Sequence, residues 1–423
     1  MKNHRMAGIG PARSAGALAA YSPPPPALLT ADGVDRVRVD RFAYAAELEA
    51  FRASALTLGA ALLADGGEES AGNVVSSPGS LLIALAMLRA GASGETAVEM
   101  DKVLGLPAGN RDEAMNALLG FLAAYDGDPG SVDEKDPPRK PVMHAANGLF
   151  VDKGVPTRKD YLATLAKHYG TGVYPVDFQD EAATKPAIDA WVNKNTGGRI
   201  KKAPAEYDRD CTFSLLNALY FAAAWLSPFD PNDTQDSPFT KSGGEEISVP
   251  TMHNMLELAY AEGAGWRVVD LPYAKGFVMR LVLPGPGEGP ETLTAATLAE
   301  IAAALDMAPE VLVLISLPRW DHKSSFDLRK VLGSLGLNTT LTTTKDFDSI
   351  QSRLTITKAA QAASITAAEK GTVAAAVTRI DGMVTGLPPE PEQTIDFDRP
   401  FHYQIVHVES GLPLFMGTVA DPR

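Results

Sequence analysis

Cysteine is nearly absent from this chain: Cys211 is the only one in 423 residues. An internal disulfide is therefore excluded, and with it the stapled scaffolds of small secreted domains. Cys211 lies in Asp210-Cys211-Thr212-Phe213, ahead of an apolar segment and with no Cys/His constellation around it, so it reads as a structural thiol. Positive charge is also in deficit. With 38 Lys and Arg against 52 Asp and Glu, the formal net charge is −14. That argues against nucleic acid and against an anionic membrane surface as partners. No apolar run approaches the length of a membrane-spanning helix, and there is no internal repeat. What is present is 45% hydrophobic and 21% charged, enough for a substantial core in one large domain or two or three smaller ones.

Familiar catalytic spacings are missing too. There is no His-Glu-x-x-His, no Gly-x-Ser-x-Gly and no phosphate loop ending in Gly-Lys-Ser/Thr. Seven histidines are scattered: His4, His144, His168, His253, His322, His402 and His407. No two stand at metal-ligand spacing on an evident helix. His402 and His407 fall in one strand, five apart and so on opposite faces. Individually satisfied or exposed histidines are the expectation. Residues 196–202 are basic and contain glycine, but they follow a helix instead of opening one and read as its terminating turn. No metal, no cofactor and no enzymatic activity are expected.

Residues 1–40 read as a disordered leader. Lys2, His4 and Arg5 precede small residues, but Pro11, Arg13 and Ser14 break any apolar centre of a signal peptide. Pro23 to Pro26 form a stiff spacer. The compartment, extracellular or cytoplasmic, stays open. Helical spacing then covers 44–64, 81–90 (opened by Pro78), 95–103 and 111–125. Residues 126–141 read as a loop. Strand patterns occupy 74–76, 146–151, 172–178 and 213–225, with a helix at 185–194. From Phe239 onward strands dominate, at 266–271, 278–283, 311–317, 401–408 and 413–419, with one helix at 327–335. Helices early, strands late and no βαβ alternation make this an α+β chain.

One tract stands out. Glu369-Lys370-Gly371 runs into Thr372-Val373-Ala374-Ala375-Ala376-Val377-Thr378, then into a loop rich in Gly, Pro and acids at 381–392. Tiny and β-branched residues can stay solvated as a loop or become a buried strand. Taken alone, the tract equally describes an Ala-rich linker or a helix end.

Other segments, in order along the chain, give it a context. They are Asn73-Val74-Val75-Ser76-Ser77-Pro78-Gly79-Ser80, then Asn217-Ala218-Leu219-Tyr220-Phe221 with Trp225 and Pro228-Phe229, and Leu317-Pro318-Arg319 with Asp327-Leu328. Phe397-Asp398-Arg399-Pro400-Phe401 and Phe415-Met416-Gly417 close the series. Together with Glu369 to Ala376 they resemble the serpin family over roughly residues 40 to 423. The resemblance implies one α+β domain over 41–423 in the serpin fold, with about nine helices, three β-sheets and an exposed reactive-centre loop at about 369–396. It implies an inhibitory, bacterial-like member, a monomer, that acts as a suicide substrate. A protease cuts the loop, and the loop then inserts as a strand while still tethered to the enzyme.

The family pattern assigns the hinge to Glu369, Gly371, Thr372, Ala374, Ala375, Ala376 and Thr378. In an inserted strand Thr372, Ala374, Ala376 and Thr378 face the core, and Val373, Ala375, Val377 and Arg379 face outward. Counting from Glu369 as the family does makes Thr385-Gly386 the reactive bond, with Val384 as the off-by-one alternative. A small or medium uncharged residue there suits an elastase-like or subtilisin-like serine protease. The alternatives are a papain-like cysteine protease, which also forms an acyl intermediate, and a non-inhibitory serpin. A sheet-opening cluster is implied at Asn73, Ser77, Ser80, Asn217, Gln361 and Trp225. Gln361 stands where the family usually has histidine; it can donate and accept, without pH sensitivity. Acidic residues over 126–136 argue against a heparin-type activator. The segment 386–396, with Pro388, Pro389 and Pro391, is longer than usual.

Overall fold

The computed structural model describes residues 24–67, 72–372 and 390–423. Ala374, Ala375, Ala376, Thr378, Val384, Thr385 and Gly386 lie outside the described residues. In chain order the first half runs α1 (Ala45–Asp65), β1 (Val74–Ser76), α2 (Pro78–Ala90), α3 (Gly94–Leu104), α4 (Arg111–Leu122), β2 (Val142–Asp152), α5 (Lys159–Thr164), β3 (Tyr174–Val176), α6 (Glu181–Asn195) and β4 (Phe213–Ala224). Five strands follow with one helix: β5 (Gln235–Thr240), β6 (Glu246–Gly263), β7 (Trp266–Pro272), β8 (Phe277–Pro284), α7 (Ala295–Asp306) and β9 (Glu310–Pro318). The last part is β10 (Trp320–Asp327), α8 (Leu328–Ser334), α9 (Asn338–Thr342), β11 (Lys358–Ala368), β12 (Gly371–Thr372), β13 (Gln393–Asp396), β14 (Phe401–His407) and β15 (Leu412–Val419).

Two hydrogen-bonded sheets result among the described residues. The first has six strands in the order β10-β11-β12-β4-β2-β3. The second has nine, β1-β15-β14-β8-β7-β6-β9-β13 with β5 added on β6. Three sheets were expected; two of them are joined here because β6 is a single 18-residue strand. It pairs with β5 over its first residues, with β9 through its middle and with β7 at its end.

Helix α2 is buried all round from Pro78 to Leu88, which suits its place between β15 on one side and β2 and β4 on the other. Ser77 precedes it and Pro78 takes its first position, where a missing N–H costs nothing. Helix α6 covers the outer face of the six-stranded sheet. Its Ile188, Trp191 and Val192 pack on Phe150, Leu216, Ala218 and Ala360, apolar partners that a half-exposed sheet would not show.

The leader departs from expectation in its second half. Leu29 and Val173 exchange backbone hydrogen bonds of 2.8 and 3.0 Å. The Arg36 guanidinium donates to Asn116, whose amide in turn donates to the Val37 carbonyl. Residues 29–37 are thus docked on α4 and on the segment before β3. The expected strand at 172–178 shortens to the three residues of β3, and no helix among the described residues is long and apolar enough to cross a membrane.

Candidate functional site

Strand β4 is apolar at every position except Ser214, Asn217 and Tyr220, and all twelve of its residues are buried. Strand β11 lies beside it in parallel, pairing Lys358–Ala362 with Ser214–Ala218. Higher up the two strands part, and β12 fills the space between them. The chain turns at Glu369 and Lys370, and Gly371 and Thr372 run back antiparallel to both neighbours. Gly371 pairs with Ala368 and Ala224, Thr372 with Ala367 and Ala223. Between these two zones, 219–222 and 363–366 have no pairing to one another among the described residues.

The turn is held at several points. Trp225 donates its indole N–H to the Ala368 carbonyl at 2.8 Å and its backbone N–H to Lys370 at 2.9 Å. Phe229 N–H donates to the Glu369 carbonyl. The Glu369 carboxylate accepts from the Thr234 hydroxyl at 2.9 Å and faces Arg319 at 3.4 Å. Lys370 pairs with Asp136 at 3.6 Å. Thr372 is 1% exposed, its hydroxyl bonded to that of Tyr273. Tyr273 stacks on Trp225, ring centroids 4.4 Å apart, and burial pushes its phenol well above the usual range. Gly371 has no alternative: a Cβ there would meet the Ala223 carbonyl oxygen at 2.1 Å.

Lower in the sheet sits a second polar constellation. Gln361 is fully buried. Its Oε1 accepts from Ser77 N–H at 2.8 Å, and its Nε2 donates to the Ser77 carbonyl at 2.9 Å and to Asn217 Oδ1 at 2.7 Å. Asn217 Nδ2 donates to Ser80 Oγ and to Asn147 Oδ1, both at 2.6 Å. Ser77, Ser80, Asn217 and Gln361 are therefore brought together. Asn73 and Trp225 are not. Asn73 clamps Ala420 and Asp421, and Trp225 serves the hinge turn. As participants, Asn147, Tyr273, Thr234 and Asp136 escaped the sequence reading, and Arg319 was quoted there only as part of a family segment. Asn147 had a signal, an amide in the middle of an apolar strand, which demands a buried partner.

Gln361→Leu leaves the Ser77 N–H and the Asn217 carbonyl oxygen without their partner, while the Ser77 carbonyl keeps the Leu81 N–H. At about 1–3 kcal/mol per orphaned group, its urea midpoint should fall by the equivalent of about 2 kcal/mol or more at unchanged slope. An unchanged midpoint would show that the network contributes nothing.

The remaining candidate groups stay separate. Cys211 is buried, its thiol pushed up to about 11 by burial. His144 bonds to Asp126 and Asn195, and His253 to Ser316. His168, His322, His402 and His407 are buried, and each keeps one ring nitrogen with no hydrogen-bond partner among the described residues. They are neither exposed nor fully satisfied, against expectation. No group of three or more His, Cys, Asp or Glu among the described residues could hold a metal.

Comparison with known proteins agrees with this architecture. The family model described as serpin (serine protease inhibitor) matches residues 54–422. A serpin-like protein of Thermococcus kodakarensis is 32% identical over 358 residues, 83% of this chain and 81% of that one. Neuroserpin of Homo sapiens is 28% identical, covering 83% and 86%. Among solved structures, the native state of the thermophilic serpin tengpin superposes with a TM-score of 0.77 at 24% identity, covering 94% of this chain and 100% of that one. With a family model spanning most of its length and a relative above 30% identity, the chain belongs to the serpin family.

Proposed function

We propose that the chain is a suicide-substrate inhibitor of serine proteases with elastase-like or subtilisin-like preference. Thr385-Gly386 is the bait, with Val384-Thr385 one residue off. The target's serine attacks the Thr385 carbonyl, the bond to Gly386 breaks, and the new ester tethers protease to loop. The loop then zips between β11 and β4. A strand rises about 3.3 Å per residue, so insertion of roughly 14 residues moves the tether about 46 Å. A compact chain of this length has a radius of gyration of about 22 Å, so the tether travels most of the molecule's length.

The observation that carries this reading is β12. Its two residues already sit in the sheet, bonded to both neighbours, and beyond them 219–222 of β4 and 363–366 of β11 are not paired with one another. Small residues follow in the sequence, as zipping requires.

Incubation with pancreatic elastase, with subtilisin and with a papain-like protease, followed by denaturing gels, tests it. A covalent band at the summed mass is expected with one of the serine proteases. Clean loop cleavage with full residual protease activity in every case would overturn the inhibitory reading. Trapping confined to the papain-like enzyme would move the target to the cysteine class.

A further inference from the structure

The register of β12 carries further than the two residues it contains. Thr372 faces Ala367 on β11 and Ala223 on β4. Each further loop residue steps back by one along both strands. Thr378 then arrives opposite Gln361 and Asn217, Arg379 opposite Ala360 and Leu216, and Asp381 opposite Lys358 and Ser214. Gln361 with Asn217, Ala360 with Leu216 and Lys358 with Ser214 are the pairs that β11 and β4 now make with each other. An inserting strand therefore needs no slip: it separates existing partners and lies between them.

The faces follow. Thr378 meets the buried amides of Gln361 and Asn217. Ile380 comes between Leu215 and Ala359, both in the main core. Arg379 and Asp381 point the other way, toward α6. That side is not solvent, because Leu216 and Ala360 are each 2% exposed beneath the helix. An arginine with no partner there would oppose insertion.

A partner set is present. A cleft between α6 and the sheet is floored by Leu216 on β4 and Lys358 on β11, and its lining includes Lys185, Asp189, Glu206 and Asp208. Three carboxylates thus stand against two amines. Both amines are held loosely: Lys185 is 3.9 Å from Asp189 and Lys358 is 3.9 Å from Asp208. The floor spans the two strands that insertion separates, so the cleft widens by one strand spacing, about 4.8 Å.

We propose that this cleft beneath α6 is the docking site for the Arg379–Asp381 segment of the inserted loop, Arg379 binding Asp189 and Asp208 and Asp381 binding Lys358. The proposal rests on the insertion reading above. It makes α6 a lock on the inserted strand. Loop entry replaces two loose ion pairs by closer ones under cover of the helix, where charge pairing is less screened than at the surface.

The test compares intact protein with protein cut in the loop beyond Asp381, the cut placed by fragment mass. Melting temperatures are measured for wild type, Arg379→Ala, Asp189→Asn/Asp208→Asn and all three changes together. Asparagine keeps one acceptor oxygen in each side chain and removes the charge. Wild type should gain Tm on cutting. Arg379→Ala should leave the intact Tm unchanged and reduce the gain by at least about 2 °C. The combined variant should lose no more than the larger of its parents, because the groups act as one pair. An undiminished gain in Arg379→Ala, or strictly additive losses, would overturn the docking and leave insertion standing. No gain in wild type would overturn insertion, and the docking with it.

Discussion

Thr372→Arg is expected to turn the protein from a trap into a substrate. Thr372 is buried between Ala223 and Ala367 with its hydroxyl on Tyr273, and no carboxylate is among these contacts. A guanidinium forced into that position is an unpaired charge among methyl groups and an aromatic ring, which costs several kcal/mol. The chain avoids this by withdrawing β12 from the sheet. Insertion must then start from an expelled hinge. An added barrier of about 3 kcal/mol slows insertion roughly 150-fold, while hydrolysis of the ester continues at the protease's own rate. Moles of serpin consumed per mole of protease inhibited should rise at least about tenfold, and cut, released serpin should replace the covalent band. Thr372→Ser, which keeps the hydroxyl, should trap as wild type does. Stoichiometric trapping by the arginine variant would show that strand insertion at β12 is not the mechanism.

Acid should destabilise the fold strongly, through histidines and before the bulk of the carboxylates titrate. Burial pushes His402 down to about 3, and His407 down to about 4 with Arg41 adding to the effect. His168 and His322 are lowered by burial as well. Their ordinary value is near 6.5, so the unfolded chain takes up these protons first. The stability they contribute is present above about pH 6.5 and is lost as pH falls toward the folded values. Each group costs about 1.4 kcal/mol per pH unit in that window, so His402 and His407 together remove about 3 kcal/mol per unit between pH 6 and 4. Urea midpoints from pH 7.5 to 4.5 should fall steeply, and His402→Gln should flatten the slope. An equal slope in that variant would mean that His402 is protonated in the folded state already.

The parts of the fold that were legible were those whose local pattern agrees with their burial. The run 213–225 became β4 because nearly every residue in it is apolar and every one is covered. α2 was readable from Pro78 and its uninterrupted apolar sequence. β11 was not found by pattern: Lys358–Ala368 contains six alanines, a helical preference that two flanking strands override. β6 escaped because its exposure alternates irregularly as it changes partners along its length. α7 had a fair signal in Leu298, Ile301 and Leu305 and in Thr294 capping its start, but lay within a strand-rich stretch.

The site shows the same division. Gln361, Asn217, Ser77 and Ser80 were named from family motifs, and their hydrogen bonds needed coordinates. Tyr273 carried no local signal, since its role exists only where β12 meets the turn after β7. Arg379 was assigned to the outward set of an inserted strand. The packing of α6 over Leu216 and Ala360 shows that outward and solvated differ at this place.

The pairing of Thr372 with both Ala223 and Ala367 makes loop length a question of odd and even. Delete one residue between Thr372 and Thr378, and every side chain beyond the deletion changes face. Arg379 would then confront Gln361 and Asn217, and Ile380 would be pushed toward the carboxylates under α6. Delete two, and the faces are restored although the strand is shorter. Beyond Asp381, past the last residues that β4 and β11 now pair in register, this arithmetic ends. The proline-rich stretch at 386–396 can lengthen there without turning a single inward residue out.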